Sequence, residues 1–229
     1  MKSYVVYGWM INLLGKFKLI NNILEQVKHE KLLGIWLDDQ LAWEVQMNKL
    51  CKLIGTRISL LRRIKPYIDV PTCKLFYTGY ILPFIDYCSL VWGTCSQSNL
   101  NRIYKLQKSA ARIIMSASYT TSTRDLFDLL GWDTPSQRIY KKRMTLVFKA
   151  LHDTAPTYIK ELLPSVSSIH GRALRSSSSN NLYVEGGKSA IHKKRFSYLA
   201  PTEWNHLPNE VKCATSINLF KKRLNTIIL

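Results

Sequence analysis

Apolar residues between Trp43 and Ile64 recur at the spacing of one face of an α-helix. These residues are Met47, Leu50, Cys51, Ile54, Ile58 and Leu61. Pro66 cannot continue a helix, so the predicted helix ends there. Pro71 suits the first turn of a second helix that runs towards Leu82.

The segment before this helix, residues 17–37, predicts a β-hairpin. FKLI and KLLGIWL supply apolar and alternating residues for two strands, and Asn21–Asn22 suits a turn. Asp38–Asp39–Gln40 then ends the second strand.

Residues 98–116 predict the clearest amphipathic helix of the chain. At 100° per residue, its four cations fall within about a third of the circumference. These cations are Arg102, Lys105, Lys108 and Arg112, and the opposite side carries Leu100, Ile103, Tyr104, Ala111 and Ile114. A short helix over 123–130 follows, and Gly131 ends it.

Residues 136–151 predict a second long helix with a basic side. Its apolar stripe contains Tyr140, Met144, Val147, Phe148 and Leu151. Its far side contains Arg138, Lys141, Lys142 and Lys149.

The remaining sequence is richer in loop-forming residues. Serine, asparagine and glycine dominate 165–190, which predicts a loop-rich stretch with one or two short strands. Residues 193–208 predict irregular or extended structure, and a last amphipathic helix begins near Ser216. The expected fold is therefore α+β and mostly α-helical. It comprises an N-terminal hairpin region (1–40), a helical bundle (41–164) and a basic, mixed region (165–229).

Charge indicates the class of partner. The 229 residues contain 33 Lys+Arg against 15 Asp+Glu, a formal net charge of +18. Nucleic acid, an anionic membrane or an acidic protein could supply the opposite charge, although the chain could also be an ordinary basic globular protein. Two basic helix faces favour contact with a nucleic-acid backbone over plain solvation.

Lys193, Lys194 and Arg195 form a third basic group. The aromatic residues around this group are Tyr183, Phe196, Tyr198 and Trp204. Aromatic side chains next to cations could stack on unpaired bases, or they could pack in a core. The sequence alone does not favour either role.

Candidate catalytic chemistry is sparse. Asp38–Asp39 could hold Mg²⁺, but a turn that leads into a helix explains the pair better. The spacing of His192, His206 and Cys213 resembles no zinc motif. Five cysteines, an odd number without a Cys-x-x-Cys pair, favour a reducing, intracellular compartment, the cytoplasm or the nucleus. The apolar stretch 75–93 contains Pro83 and Asp86, which favours buried helices broken at the proline over a membrane span.

Six stretches together resemble a known family. They occur in the order LLGIWLDDQLAW (32–43), SLLRRIKPYI (59–68), YILPFIDYCSLVWG (80–93), LQKSAARIIMSASYTTST (106–123), LLGWDTPSQRIYKKR (129–143) and FSYLAPTEWNHLP (196–208). This order resembles the C-terminal part of the reverse transcriptases of non-LTR (LINE-type, jockey-like) retrotransposons. The resemblance covers about residues 17–229.

The resemblance implies a thumb and post-thumb region that holds RNA or an RNA–DNA duplex by backbone contacts. It implies that residues 1–40 are the end of the palm with its primer-grip hairpin. No Tyr-Ala-Asp-Asp-like catalytic box precedes Leu32, so Asp38–Asp39 are not the catalytic pair, and Mg²⁺ would belong to a palm that this chain lacks. We therefore expect no catalytic activity, no metal and no cofactor of its own. Family members often carry a His where Gln46 stands, so any role of that side chain is in doubt.

Two alternatives remain open. The chain could be a protein-interaction or scaffold module derived from a retroelement, with an exposed apolar patch near Trp92 or Trp204. It could also be an inert remnant that folds poorly, because the hairpin would lack its sheet neighbours.

Overall fold

A computed structural model describes residues 18–19, 22–23, 27–169 and 180–228. Its architecture is α+β and mostly helical, which confirms the predicted fold class. The strands are β1 (Lys18–Leu19), β2 (Asn22–Ile23), β3 (His29–Leu32) and β4 (Ile35–Asp38). The helices of the first part are α1 (Glu44–Ile64), α2 (Val70–Phe76), α3 (Leu82–Asp86), α4 (Ser89–Trp92), α5 (Gln97–Met115) and α6 (Thr123–Leu130). Those that follow are α7 (Pro135–Leu151), α8 (Thr157–Glu161), α9 (Val166–Ile169), α10 (Phe196–Asn205), α11 (Asn209–Lys212) and α12 (Ile217–Ile228).

The chain divides into two compact units, Met1–Pro135 and Ser136–Leu229. This division differs from the boundary expected near residue 165. The reason is the packing of α7, whose buried side chains join one hydrophobic cluster with those of α10, α11 and α12. Phe148 of α7 stacks on Phe220 of α12 with ring centroids 4.5 Å apart, and Trp204 of α10 lies 5.9 Å from the same ring.

The β-structure differs from the single hairpin that the sequence predicts. The segment forms two antiparallel pairs, β1 with β2 and β3 with β4. KLLGIWL is not one strand, because the chain reverses at Leu33–Gly34, where both φ angles are positive (47° and 85°). This is the geometry of a tight hairpin turn, which glycine supports at its second position. Asn21 of the predicted turn lies outside the described residues.

The first unit is built on α1. Its predicted apolar face is buried at Met47, Leu50, Ile54, Ile58 and Leu61, as the spacing predicts. Helix α5 packs against it, and the Asn99 amide donates a hydrogen bond to Glu44 Oε1 over 2.8 Å. A 3₁₀ turn over Lys65–Tyr67 follows α1, and Asp69 then caps α2 by accepting from the Thr72 N–H over 2.9 Å. These contacts fix the two long helices that carry the candidate site.

The sequence predicts that Pro83 breaks the helical stretch, and this prediction is wrong. Between α2 and α3, Tyr77–Ile81 forms a π-helical turn, and Leu82 N–H donates to the Tyr77 carbonyl. Pro83 then lies in the first turn of α3, where its missing N–H costs little. The break comes later, at Tyr87 and Cys88, where the backbone is extended and then left-handed.

The segment 193–208 is helical, and the expectation of irregular or extended structure there is wrong. A 3₁₀ turn over His192–Lys194 leads into α10, which contains Pro201. A proline inside a helix removes one backbone hydrogen bond. Burial of Ala200, Pro201 and Trp204 in the second unit offsets this loss.

The loop-rich stretch 165–190 is described only in part. Ser165 and Leu182 form an isolated antiparallel bridge, in agreement with sparse strand content. Residues 170–179, which include the serine run 176–179, lie outside the described residues. The final helix α12 begins after Ser216, whose side chain accepts from the Leu219 N–H as the predicted start requires.

Candidate nucleic-acid interface

The four cations of the α5 face differ in how far they are held by the protein. Arg102 is anchored: it donates to Asn99 Oδ1 over 3.0 Å and to Asn48 Oδ1 over 2.6 Å, and it lies 3.6 Å from Glu44. It therefore contributes to the α1–α5 packing. This role could not be predicted from the sequence, because the partners of Arg102 on α1 are 54 and 58 residues away.

Lys105 and Lys108 line a surface groove of about 610 Å³ beside α5. Lys105 is exposed, and the Lys108 ammonium lies 4.9 Å from the ring centroid of Tyr104. Within the described ranges, no carboxylate pairs with either lysine. The two ammonium groups are therefore available to an anionic ligand.

Arg112 lies at the far end of the same face. Its guanidinium donates to the carbonyls of Tyr119 and Thr121 over 3.3 and 3.4 Å, while its buried Nε has no hydrogen-bond partner. Arg112 lines a pocket of about 290 Å³ together with Arg62 and Lys65. This pocket brings three cations together at the C-terminal ends of α1 and α5.

Arg62 and Lys65 are site residues that the sequence reasoning missed. The run Arg62–Arg63–Ile64–Lys65 is visible in the sequence, but basic residues at a helix C-terminus ordinarily serve the helix dipole. Only the packing of α1 against α5 places this run beside Arg112.

The α7 face is less accessible than its pattern suggests. Arg138, Lys141, Lys142 and Lys149 are all half-buried. The first three of these also take part in interactions with other groups of the protein. These α7 cations therefore contribute to interactions within the protein, whereas Lys105 and Lys108 pair with no carboxylate of the described residues.

Helix α7 also carries a buried arginine. Arg143 is 6% exposed and donates to Glu203 Oε1 of α10 over 2.5 Å. The other carboxylate oxygen, Oε2, is buried without a hydrogen-bond partner. Burial raises the pKa of Glu203, and the Arg143 charge opposes this rise. Burial and the Glu203 charge also raise the pKa of Tyr140.

The third basic group is exposed. Lys193, Lys194 and Arg195 all lie at the surface, in and just after the 3₁₀ turn before α10. The aromatic residues around them are held by the second unit. Trp204 is 1% exposed and donates from Nε1 to the Asn180 carbonyl, so it cannot stack on a base. Phe196 packs against the hydrophobic cluster, and Tyr198 contacts the His192 ring edge-on.

Asp38 and Asp39 lie at the end of β4, as the turn interpretation expects. The Asp38 carboxylate accepts from the Ala42 and Trp43 N–H groups over 2.7 and 2.6 Å, next to the start of α1. Both carboxylate oxygens therefore support the entry to α1. Gln46 is buried on α1 and accepts from the Trp36 N–H over 3.1 Å, which ties the β3–β4 hairpin to this helix.

Among residues 18–19, 22–23, 27–169 and 180–228, no three His, Cys, Asp or Glu side chains come together to hold a metal ion, so His192, His206 and Cys213 do not meet. Across the same residues, no helix is both long and apolar enough to cross a bilayer. The indoles of Trp92 and Trp204 are buried, whereas Val91, next to Trp92, is 49% exposed.

Comparisons with protein-family models, with curated proteins and with solved structures find no match to this chain.

Proposed function

We propose that this chain holds RNA or an RNA–DNA duplex through contacts with the phosphate backbone, as the non-catalytic thumb-side part of a non-LTR-type reverse transcriptase. The observation that carries the proposal is the basic surface of the first unit. It contains Lys105 and Lys108 in the groove and Arg62, Lys65 and Arg112 in the adjoining pocket. We call these five residues the α5 surface.

The dimensions of the α5 surface suit a polyanion. Lys105 and Arg112 are seven residues apart on one helix, which corresponds to about 10 Å. Phosphates along one strand of a duplex rise by about 3.4 Å each. A strand that follows α5 therefore meets several cations in succession.

The chemistry of the surface favours the backbone over the bases. Lysine ammonium groups are mobile point charges, and they contact phosphates without reading a sequence. Among the residues that the structure describes, no acidic side chain lines the groove or the pocket. The expected binding is thus independent of sequence and sensitive to salt.

We propose a non-catalytic role, and the use of the paired carboxylates supports it. Asp38 is committed to two backbone N–H groups, and Asp39 follows it in the turn. The proposal therefore assigns to this chain the holding of nucleic acid and no chemical step.

The proposal is tested by fluorescence anisotropy with a labelled RNA–DNA hybrid of about 16 base pairs at about 50 mM salt. We expect Lys105→Glu/Lys108→Glu to weaken binding by at least about tenfold, since two contacts become repulsive. The control is Lys221→Glu/Lys222→Glu on α12, two exposed lysines whose reversal changes the net charge by the same amount.

A large loss in the α5 variant with little change in the control supports the proposal. Equal losses in both variants would show a non-specific effect of net charge. The proposal also fails if the wild-type chain does not bind the hybrid at low salt. Thermal melts of all three proteins establish that each one is folded.

A further inference from the structure

A second cleft lies in the first unit, between the β3–β4 hairpin, α1 and α3. Its volume is about 490 Å³, within the range of small-ligand sites. Most of its lining is apolar, and three aromatic side chains contribute to the walls: Trp36, Phe84 and Tyr87. Lys31 and Lys49 also line it, and no acidic residue of the described part of the chain does.

The indole and one lysine of this cleft are already paired. The Lys49 ammonium lies 3.9 Å from the ring centroid of Trp36, which is half-buried. The lysine stem is flexible, so its ammonium can move off the indole face and contact an anion. The uncovered indole face can then stack on a flat ring of a ligand. An aromatic face and a cation are then available at one place.

The walls of the cleft are fixed before any ligand arrives. Tyr87, which directly follows α3, donates from Oη to the Leu33 carbonyl over 2.6 Å. This hydrogen bond holds the hairpin turn against the end of α3. A Cβ at Gly34 would lie 3.7 Å from the Tyr87 ring, so hairpin and ring are in close contact. The Trp36 backbone is tied to α1 through Gln46. Such preorganisation reduces the entropy lost on binding.

Helix α1 carries the cleft and the contacts with α5 on different sides. Glu44 and Asn48 face α5, whereas Gln46, Lys49 and Leu53 line the cleft about half a turn away around α1. The cleft is therefore separate from the α5 surface.

We propose that this cleft receives an unpaired nucleotide, whose base stacks on the Trp36–Phe84–Tyr87 walls while Lys31 and Lys49 bind its phosphate. Stacking on aromatic side chains accepts every base, so the cleft adds affinity for single-stranded ends without reading sequence. This inference rests on the proposed function, because it specifies a second contact for the same nucleic acid.

The test uses mononucleotides, which probe the cleft without the α5 surface. The full chain is titrated with AMP, with ribose 5-phosphate, which lacks the base, and with a hepta-glutamate peptide. The six tryptophans give six indole N–H signals in NMR, and Trp36→Phe assigns the Trp36 signal. We expect AMP to shift that signal and to bind at least about tenfold more tightly than ribose 5-phosphate.

A matched pair of lysine variants tests the phosphate contact. Lys49→Met should weaken AMP binding several-fold, whereas Lys52→Met, an exposed lysine on the same helix outside the cleft, should leave it unchanged. Trp36→Leu should abolish AMP binding in calorimetry. If Trp36→Leu fails to melt cooperatively, the lysine pair decides the question.

Three results would overturn the inference: equal affinity for AMP and ribose 5-phosphate, equal effects of the two lysine variants, or tighter binding of the acidic peptide than of AMP at the Trp36 signal. Loss of hybrid binding in Lys105→Glu/Lys108→Glu with AMP binding retained supports two separate sites. Hybrid binding without AMP binding refutes the cleft alone, and AMP binding without hybrid binding refutes the α5 surface alone.

Discussion

Helices α5 and α7 have the same sequence pattern but use their charges differently. Each carries four cations on one side and an apolar stripe on the other. On α5, Lys105 and Lys108 lie in a surface groove, and neither pairs with a carboxylate of the described residues. On α7, the four cations are half-buried, as are three of the four on α5, but three of the α7 cations also interact with other groups of the protein. In addition, Arg143 of α7 is buried in an ion pair with Glu203.

This difference shows that the number of cations on a helix face does not measure its capacity to bind a polyanion. A cation that is already paired or partly desolvated must give up interactions before it can contact a phosphate. Lys105 is exposed and has little to give up, because surface charges interact weakly in water. The α5 surface is therefore the better candidate, and α7 serves mainly the stability of the second unit.

The largest expected difference between the two helices concerns their arginines. Arg143→Ala leaves the buried Glu203 carboxylate without its partner and should lower the free energy of unfolding by about 3–5 kcal/mol. Arg102→Ala should cost only about 1 kcal/mol, because that side chain is 37% exposed and its partners can turn to water. Urea denaturation of both variants measures the two losses. Equal losses would remove the distinction between the two helices.

Removal of the Asp38 carboxylate of the first unit should cost less stability than breaking the Arg143–Glu203 pair of the second unit. Asp38→Ala removes two hydrogen bonds to backbone N–H groups at the start of α1 and should cost about 1–2 kcal/mol of stability. Binding to the RNA–DNA hybrid should not change, since Asp38 has no role in the α5 surface. A thermal melt and an anisotropy titration of the same sample check both statements. A loss of hybrid affinity in the folded variant would contradict the structural role.

The pH dependence of stability should reveal the buried carboxyl of the second unit. Burial raises the pKa of Glu203, so the native state keeps a proton on it to higher pH than the unfolded chain, where the ordinary value is 4.5. Its contribution to stability is complete below pH 4.5 and is lost as pH rises through the raised pKa. This change in the free energy of unfolding is smaller than the loss in Arg143→Ala, because Arg143 and Glu203 are both still present.

The measurement compares the wild type with Glu203→Gln by urea denaturation from about pH 4 to about pH 7. The free energy of unfolding of the wild type, relative to the variant, should fall with rising pH. A difference that rises with pH would mean that Arg143 stabilises the charged carboxylate by more than burial destabilises it.

The smallest expected effect is that of a single lysine. Lys108→Met should change the free energy of unfolding by no more than about 0.5 kcal/mol, as is usual for surface substitutions. It should also reduce the slope of log affinity against log salt by about one, since one phosphate contact is lost. Lys142→Met on α7 is the comparison: it should leave the slope unchanged. A smaller slope in Lys142→Met would mean that α7 also contacts the nucleic acid.

Sequence reasoning predicted the elements whose causes are local. Helices α1 and α5 follow from apolar spacing, and α6 ends at Gly131, whose φ of 66° suits a helix C-terminus. The fold class and the long helices could therefore be predicted.

The elements that it missed depend on distant contacts. A leucine with positive φ, as at Leu33, is rare, and here the carbonyl of that residue is held by Tyr87, 54 residues later. Helix α10 contains Pro201, and a proline at this position argues against a helix when only the sequence is considered. Burial of Trp204 in the second unit compensates for the lost hydrogen bond. Arg62 and Lys65 join Arg112 only because α1 packs on α5.

The central claim is that five cations of the α5 surface bind phosphates, and the salt dependence of wild-type binding tests it most directly. Five contacts predict that log affinity for the RNA–DNA hybrid falls against log salt with a slope of about −4 to −5. Anisotropy titrations at several salt concentrations measure the slope. A slope near zero, or no binding even at low salt, would contradict the account.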